Sequence, residues 1–122
     1  MQQSTSTKGF ISTNDECMQQ LESLNKEYLI KFENQDCLIE FWTPRSEDSQ
    51  PPHDRDEVYI IINGSGEFEM NSERKSIKKG DLIFVAAGVE HRFTKYSNDL
   101  AMWIVFFGHH HEGFAKWKGM EY

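Results

Sequence analysis

The chain has 122 residues, with 13 Lys and Arg against 20 Asp and Glu and a formal net charge of −7. This length is enough for one domain with a core of its own but short for two. The acidic balance, with no stripe of basic side chains, is unfavourable for binding nucleic acid. We therefore expect one domain over residues 1–122, without a nucleic-acid partner.

Cysteine usage and hydropathy indicate the compartment. Cys17 and Cys37 form no CxxC or zinc-finger spacing, which fits a reduced cytoplasm. Residues 1–10 lack the apolar core of a secretory signal, and the longest apolar runs, such as Ala101–Phe107, are far too short to cross a bilayer. We expect a soluble cytoplasmic protein with no membrane partner.

The N-terminal region, about residues 1–25, predicts a polar tail followed by one short helix. Thr13 and Glu16 form a capping-box pattern at the start of that helix. Apolar residues then recur at four- and three-residue steps, on one helical face. The expected helix covers about residues 14–25 and packs over an edge or end of a sheet. The apolar residues are Cys17, Leu21 and Leu24.

After Asn25 the chain becomes a series of short β-branched and aromatic runs separated by turn residues. Turns recur about every 8–12 residues without a helical pattern between them, which favours an antiparallel sandwich or barrel over an α/β fold. The predicted fold class is therefore all-β, with one N-terminal helix and a barrel core over about residues 28–108. The runs are YLIKFE, CLIEFWT, VYIIIN, GEFEM, RKSIK, LIFVA, HRFTKY and LAMWIVFFG.

The segment PPHDRDEVYIIINGSG, residues 51–66, combines possible metal ligands with a strand and a tight turn. In an extended chain, side chains two apart share a face, so His53 and Glu57 point to the same side. An imidazole and a carboxylate are two-thirds of a common divalent-metal site, and His91 is the candidate for the second imidazole. The polar stretch 45–52 ends in two prolines and is expected to be a rim loop.

The same alternation distinguishes two neighbouring carboxylates. Glu57 lies an even number of positions from His53, whereas Asp56 falls on the opposite face. A β-bulge near the site would reverse this assignment. We therefore predict one divalent transition ion, Fe, Mn, Ni, Co or Zn, held by His53, Glu57 and His91.

Four further side chains are candidates for a pocket around this ion. One shares the face of the carboxylate, two share the face of the second imidazole, and one lies on the last strand. Lys95 either binds an anionic substrate or leaves the barrel for solvent. The three aromatic residues either line a small-molecule pocket or pack in the core. The residue on the carboxylate's face is Tyr59, the two on the face of His91 are Phe93 and Lys95, and the one on the last strand is Trp103.

Three consecutive imidazoles, His109–His111, follow the last predicted strand. Adjacent side chains point in different directions, and only Glu112 offers a carboxylate nearby. A run of this kind binds metal adventitiously, so we assign no site to it.

Both histidine segments resemble the two sequence motifs of cupins, over about residues 51–107. The first cupin motif contains His-x-His, a glutamate and a closing glycine; the second contains a glycine, Pro-x-Gly, a histidine and a terminal asparagine. Pro51 stands in place of the leading histidine, Ala86 in place of the proline and Lys95 in place of the asparagine. The matching residues are His53, Glu57 and Gly64 in the first motif and Gly80, Gly88 and His91 in the second.

The resemblance implies a jelly-roll or double-stranded β-helix barrel, often a homodimer, with a small-molecule pocket at the barrel mouth. It does not imply one reaction, because cupins include dioxygenases, isomerases, epimerases and non-enzymatic binders. We expect a small-molecule-binding cupin with a divalent metal site, acting as a dioxygenase, isomerase or epimerase. The alternative is a metal or small-molecule binding module without turnover. A metal-free isomerase with His53 or His91 as general base is a third class, and no catalytic residue is assigned.

Overall fold

The computed structural model describes residues 8–46, 48 and 50–108, so His109–His111 lies outside the described residues. Within them the chain forms one helix and eight strands, which confirms the predicted all-β fold with a short N-terminal helix. The elements are α1 Asn14–Leu24, β1 Tyr28–Glu33, β2 Cys37–Trp42, β3 Asp56–Asn63, β4 Ser65–Met70, β5 Glu73–Lys78, β6 Leu82–Val85, β7 His91–Tyr96 and β8 Ala101–Phe107.

Helix α1 begins and ends at capping residues. The Thr13 hydroxyl accepts from the backbone N–H of Glu16, and the Glu16 carboxylate accepts from the Thr13 N–H, both at 3.2 Å. This is the predicted capping box. Asn25, with φ 52°, ends the helix in the left-handed conformation. With 11 residues, α1 is too short to span a membrane, and no other described segment forms a helix that could.

The strands form two antiparallel sheets. The larger sheet has the order β1-β2-β8-β3-β6 and the smaller sheet has the order β5-β4-β7. Strand β3 therefore lies inside the larger sheet, between β8 and β6. Strand β7 lies at an edge of the smaller sheet, beside β4. The two histidine segments of the sequence thus belong to different sheets.

The main core lies between the sheets. On β3 and β8 every second side chain points into it, as expected for strands with one covered face. Aromatic rings from the smaller sheet extend into the same space, where Phe68 and Phe93 meet edge-on with ring centroids 4.8 Å apart. The core residues are Leu38, Trp42, Tyr59, Ile61, Phe68, Ile77, Ile83, Val85, Phe93, Leu100, Met102, Ile104 and Phe106.

The outer face of the larger sheet is covered on one side only. Helix α1 packs over β1, β2 and β8, where the rings of Phe41 and Trp103 lie 4.9 Å apart. On β3 and β6, by contrast, three apolar side chains are exposed to solvent. We call this area the open face; its residues Ile60, Leu82 and Phe84 are 40%, 64% and 49% exposed.

The turn between β3 and β4 requires glycine. Gly64 has φ +80°, and a Cβ at this position would lie 2.6 Å from Ser97 Oγ and 2.7 Å from Leu100 Cα. A side chain there would meet both an unfavourable backbone conformation and a steric clash. The turn that follows the predicted ligand strand is therefore fixed by its sequence.

Candidate metal centre

Three buried side chains from two sheets meet between those sheets. His53, Glu57 and His91 are 2%, 0% and 5% exposed. Glu57 lies on β3, His53 precedes that strand, and His91 is the first residue of β7. The backbone N–H of Gly88 donates to the His53 carbonyl at 2.8 Å. This hydrogen bond joins the turn before β7 to the segment before β3, although the two are far apart in the sequence.

The three side chains approach one another through atoms that bind metals. His91 Nε2 lies 2.8 Å from Glu57 Oε1, and His53 Nε2 lies 3.4 Å from the same oxygen. One potential ligand atom of each residue lies within 4.8 Å of the others. Within residues 8–46, 48 and 50–108, no other group of three His, Cys, Asp or Glu side chains converges in this way.

The geometry of this group fits a divalent transition ion. Two ligand atoms that bind such an ion at right angles, each at roughly 2.0–2.2 Å, lie about 3 Å apart. The separations of 2.8 Å and 3.4 Å around Glu57 Oε1 are of this size. Two imidazoles and one carboxylate are also a donor set that Fe, Mn, Ni, Co and Zn accept.

Hydrogen bonding orients His91. Its Nδ1 lies 2.8 Å from the carbonyl oxygen of Val89, which can only accept, so Nδ1 carries a proton and Nε2 faces Glu57. Burial lowers the pKa of His91, but the hydrogen bond and the charge of Glu57 outweigh burial, and the resulting pKa lies above its ordinary value. His91 therefore holds its proton more tightly than an imidazole in water does.

Burial is the main influence on Glu57. Removal from water raises the pKa of its carboxyl group above the ordinary value, while the hydrogen bond and charge of His91 act in the opposite direction. The negative charge of Glu40 raises the pKa of Glu57 further. A cation at this position would relieve the repulsion between the two carboxylates.

Sequence reasoning missed three buried polar residues beside the ligands. Glu40 is 0% exposed and lies between the core residues Leu38 and Trp42 on β2, so the alternation of CLIEFW could have revealed it. Asp48 and Gln50 are 6% and 9% exposed, although their segment was expected to be a rim loop. Their polar composition gives no sign of burial, because the groups that bind them come from β3 and β7 and from the segment before β3.

Two of the predicted pocket residues lie beside the ligands as part of the main core. Tyr59 and Phe93 are 0% and 2% exposed, and their rings stack with centroids 5.7 Å apart. The ring of Tyr59 is 6.1 Å from that of His91. Burial, followed by the charges of Glu57 and Asp48, raises the pKa of Tyr59 well above its ordinary value. Its hydroxyl is therefore always protonated and available as a donor.

The other two predicted pocket residues lie away from the ligands. At Thr94 the register between β4 and β7 shifts by one residue, which reverses the alternation. Lys95 is consequently exposed and does not share the buried side of His91. Trp103 lies on the outer face of β8 beneath α1, and its Nε1 donates to Asn14 Oδ1 at 3.0 Å.

Asp56 differs from its neighbour Glu57 in the way that strand alternation predicts. Its Oδ1 accepts from the backbone N–H of Ala87 at 2.8 Å, in the turn before β7. Asp56 therefore fixes a turn, and it is not part of the convergent group of ligand atoms.

A polar cavity of about 420 Å³ lies next to the candidate ligands. Gln50 and His91 form part of its wall, together with Glu69 and Arg92, whose side chains pair at 3.2 Å. Its size is in the range of small-molecule sites, so a small organic molecule there would contact His91 directly. The remaining wall residues are Pro52, Asn71, Ser72 and Glu90.

Two antiparallel sheets that enclose a group of His and Glu side chains are the architecture of a cupin jelly-roll barrel. The family model described as Cupin domain matches residues 39–107, which is more than half of the chain. The chain belongs to the cupin family, as the two sequence motifs predicted.

Similarity to known proteins covers part of the chain. An uncharacterised protein of Streptomyces coelicolor is 39% identical over 59 residues, or 48% of this chain and 56% of that protein. Acireductone dioxygenase of Drosophila pseudoobscura pseudoobscura is 42% identical over 52 residues, or 38% of this chain and 28% of that enzyme. The matched segments therefore cover little more than half of the first relative and less than a third of the second.

Solved structures with the same fold include KdgF from Halomonas sp., with a TM-score of 0.58 and 17% identity over 66% of this chain and 76% of that chain. A structure described as a putative mannose-6-phosphate isomerase from Ralstonia eutropha has a TM-score of 0.57 and 20% identity, covering 66% of this chain and 84% of that chain. At these identities the likeness concerns the fold alone.

Proposed function

We propose that this cupin binds one divalent transition ion through His53, Glu57 and His91 and uses it to hold and convert a small polar organic molecule. The observation that carries the proposal is the convergence of three buried ligand atoms beside a polar cavity. Two imidazoles and a carboxylate occupy one side of an ion and leave positions for substrate and water.

The residues around the ion site have separate tasks. The Val89 carbonyl holds the Nδ1–H of His91, which keeps Nε2 directed at the ion. The ring of Phe106 packs edge-on against His53 with centroids 5.3 Å apart, restricting that imidazole and excluding water behind it. Glu57 supplies the charge that offsets part of the charge of the ion. When bound, the ion supplies Lewis acidity and, if redox-active, reactivity towards dioxygen.

Dioxygenase chemistry is the reaction class that we favour, with isomerase and epimerase chemistry as the other classes. Similarity to acireductone dioxygenase over 52 residues supports it. The cavity wall carries the Glu69–Arg92 ion pair together with amide and hydroxyl groups. A substrate that fits this wall is small and rich in oxygen atoms, because it must replace water at those polar groups.

Metal analysis of the tag-free protein tests the site. We expect about one transition ion per chain in the wild type and none in the His53→Ala/His91→Ala double variant. The Lys95→Ala variant is the control and should retain the ion, because Lys95 is exposed and away from the ligands. The same sub-stoichiometric content in the wild type and the double variant would rule out this site.

A binding module without turnover is the second candidate. It is favoured by the aromatic rings packed against both imidazoles, which restrict the space for a substrate between the sheets. Oxygen uptake and product formation, measured with the metal-loaded protein and a panel of small organic acids and sugars, separate the two candidates. Turnover that Glu57→Gln abolishes supports an enzyme, whereas saturable binding without turnover supports a binding module.

We also propose a homodimer in which a second copy covers the open face. Strand β6 is an edge of the larger sheet, and its Leu82 and Phe84 side chains are exposed. An uncovered edge strand with apolar side chains promotes pairing, and a symmetric partner would protect it. Light scattering at tens of micromolar should give about twice 14.3 kDa for the wild type. A Leu82→Lys/Phe84→Lys variant should be monomeric. The control, Lys75→Ala on the smaller sheet, should remain dimeric. A monomeric wild type would contradict the proposal.

A further inference from the structure

We infer that Gln50 is a fourth ligand, whose Oε1 takes the coordination position of the histidine that Pro51 replaces in the first motif. The inference rests on the proposed metal site and adds one residue to it. Proline has no side-chain atom that can bind an ion. Its neighbour Gln50 carries an amide oxygen that reaches the ligand group, 2.7 Å from His53 Nε2.

Hydrogen bonds determine which end of the Gln50 amide faces the ligands. Its Nε2 donates to Asp48 Oδ2 at 2.8 Å, and a carboxylate can only accept. Oε1 must therefore point the other way, where the Tyr59 hydroxyl also donates to it at 3.4 Å. The atom presented to the site is thus the oxygen, which can bind a cation, and not the amide nitrogen.

Asp48 is itself anchored to the strand that carries His91. Its Oδ2 accepts from the backbone N–H of Phe93, on β7, at 2.8 Å. Asp48 and Gln50 are 6% and 9% exposed, so water competes little for these hydrogen bonds. The amide oxygen is consequently held in place before an ion arrives, and little conformational freedom is lost on binding.

The distance from Oε1 to His53 Nε2 is one expected between neighbouring ligand atoms. His53 Nε2 lies 2.7 Å from Gln50 Oε1 and 3.4 Å from Glu57 Oε1. Both separations are close to the roughly 3 Å expected between adjacent ligand atoms of one ion. Without an ion, the Nε2–H of His53 donates to Gln50 Oε1. Binding of an ion would release that proton to solvent, and both atoms could then bind the ion.

The partners of the two histidines contact different ring nitrogens, which distinguishes a residue that orients a ligand from a residue that is itself a ligand. At His91 the orienting partner is the Val89 carbonyl, which binds Nδ1, the nitrogen remote from the other ligands. This is the usual arrangement around a metal-binding imidazole. Gln50 instead contacts Nε2 of His53, the nitrogen that faces Glu57. The Gln50 oxygen therefore lies on the side of the His53 ring that faces Glu57 and not behind the ring.

The experiment counts the water molecules bound to Mn²⁺ by pulsed electron paramagnetic resonance in D₂O. With four protein ligands an octahedral ion keeps about two waters. We expect Gln50→Leu to gain about one water and to bind Mn²⁺ roughly tenfold more weakly. We expect Gln50→Glu to keep the water count of the wild type, because its carboxylate supplies an oxygen at the same position. The control is Gln19→Leu, on the exposed side of α1, which should change neither quantity.

Each outcome separates the inference from the site on which it rests. If Gln50→Leu has the water count of the wild type, or if Gln50→Glu has one water fewer, Gln50 is not a ligand. In either case the three-ligand site stands, provided that His91→Ala abolishes binding. If His91→Ala binds as much Mn²⁺ as the wild type, the proposed function itself is wrong. Where Gln50→Leu does not fold, the Gln50→Glu arm still tests the inference, because one water fewer than in the wild type would overturn it.

Discussion

Each face of the larger sheet departs at a few positions from the usual distribution of polar and apolar side chains. Its inner face carries Glu40 and Glu57, both 0% exposed, among core residues. Its outer face leaves Ile60, Leu82 and Phe84 in contact with solvent. Carboxylates are rarely buried without compensation, and clustered apolar side chains are rarely left uncovered. Both departures match the proposals made above, in which the inner face binds an ion and a second copy covers the outer face.

The largest effect should come from removing a core side chain from the inner face. Ile61 and Ile60 are adjacent on β3 and identical in type, but they are 1% and 40% exposed. Ile61→Ala should lower the free energy of unfolding by about 2–5 kcal/mol, because it leaves a cavity between the sheets. Ile60→Ala should lower it by less than about 1 kcal/mol when measured in dilute solution. Urea denaturation provides the measurement, and equal losses would contradict the assignment of the two faces.

The next effect concerns the carboxylate proposed to bind the ion, Glu57. Glu57→Gln should weaken metal binding by about a hundredfold or more, which is roughly 2.7 kcal/mol, because a charged ligand is lost. The matched variant is Asp56→Asn, whose side chain holds the Ala87 N–H outside the ligand group. It should retain the metal-induced rise in Tm. If Asp56→Asn alone loses that rise in Tm, the carboxylate ligand is Asp56, and the assignment of inner and outer faces on β3 is wrong by one residue.

The pH dependence of metal binding should depend on side chains of the inner face and not on those of the outer face. The pKa values of Glu57 and His91 are raised above their ordinary 4.5 and 6.5. The metal-free fold therefore holds a proton more tightly than the unfolded chain. The contribution of Glu57 is fully present below pH 4.5 and that of His91 below pH 6.5, and each is lost as the pH rises through the raised pKa of that group.

An ion must displace that proton, so metal affinity should rise with pH, by up to about tenfold per unit for each proton released. Tm measured with and without metal between about pH 5.5 and about pH 8 tests this. The Leu82→Lys variant, changed only on the open face, should keep the same pH dependence. A metal-induced shift in Tm that is constant over this range would contradict it.

The smallest effect belongs to the covered part of the outer face. Thr13→Ala removes the N-cap of α1 and should lower the free energy of unfolding by about 1 kcal/mol. Ser23→Ala, at an exposed position within α1, should cause no comparable loss. Metal content should be unchanged in both variants, because α1 packs on the face opposite the ligands. A loss of metal in Thr13→Ala would mean that the two faces are coupled through the sheet.

The sequence alone determined the features that arise from local chemistry. The capping box of Thr13 and Glu16, the strand runs and the turn at Gly64 depend on near neighbours, and each lies where it was predicted. Alternation also put Glu57 on the inner side of β3 and Asp56 outside, because a regular strand has a period of two. The cupin fold was implied by the resemblance of the two histidine segments to the cupin motifs, and the family match over residues 39–107 confirms it.

Only the tertiary structure decided which polar groups surround the ligands. Alternation fails at the bulge in β7, because an extra residue reverses every side chain beyond it, and Lys95 therefore lies in solvent. Trp103 faces α1 because the sheet has two apolar sides, and hydropathy alone does not distinguish them. Asp48 and Gln50 are buried because their hydrogen-bonding partners lie on other segments of the chain. A polar loop residue is buried only where distant parts of the chain supply its hydrogen bonds. The sequence around the residue does not show whether such partners are near in the fold.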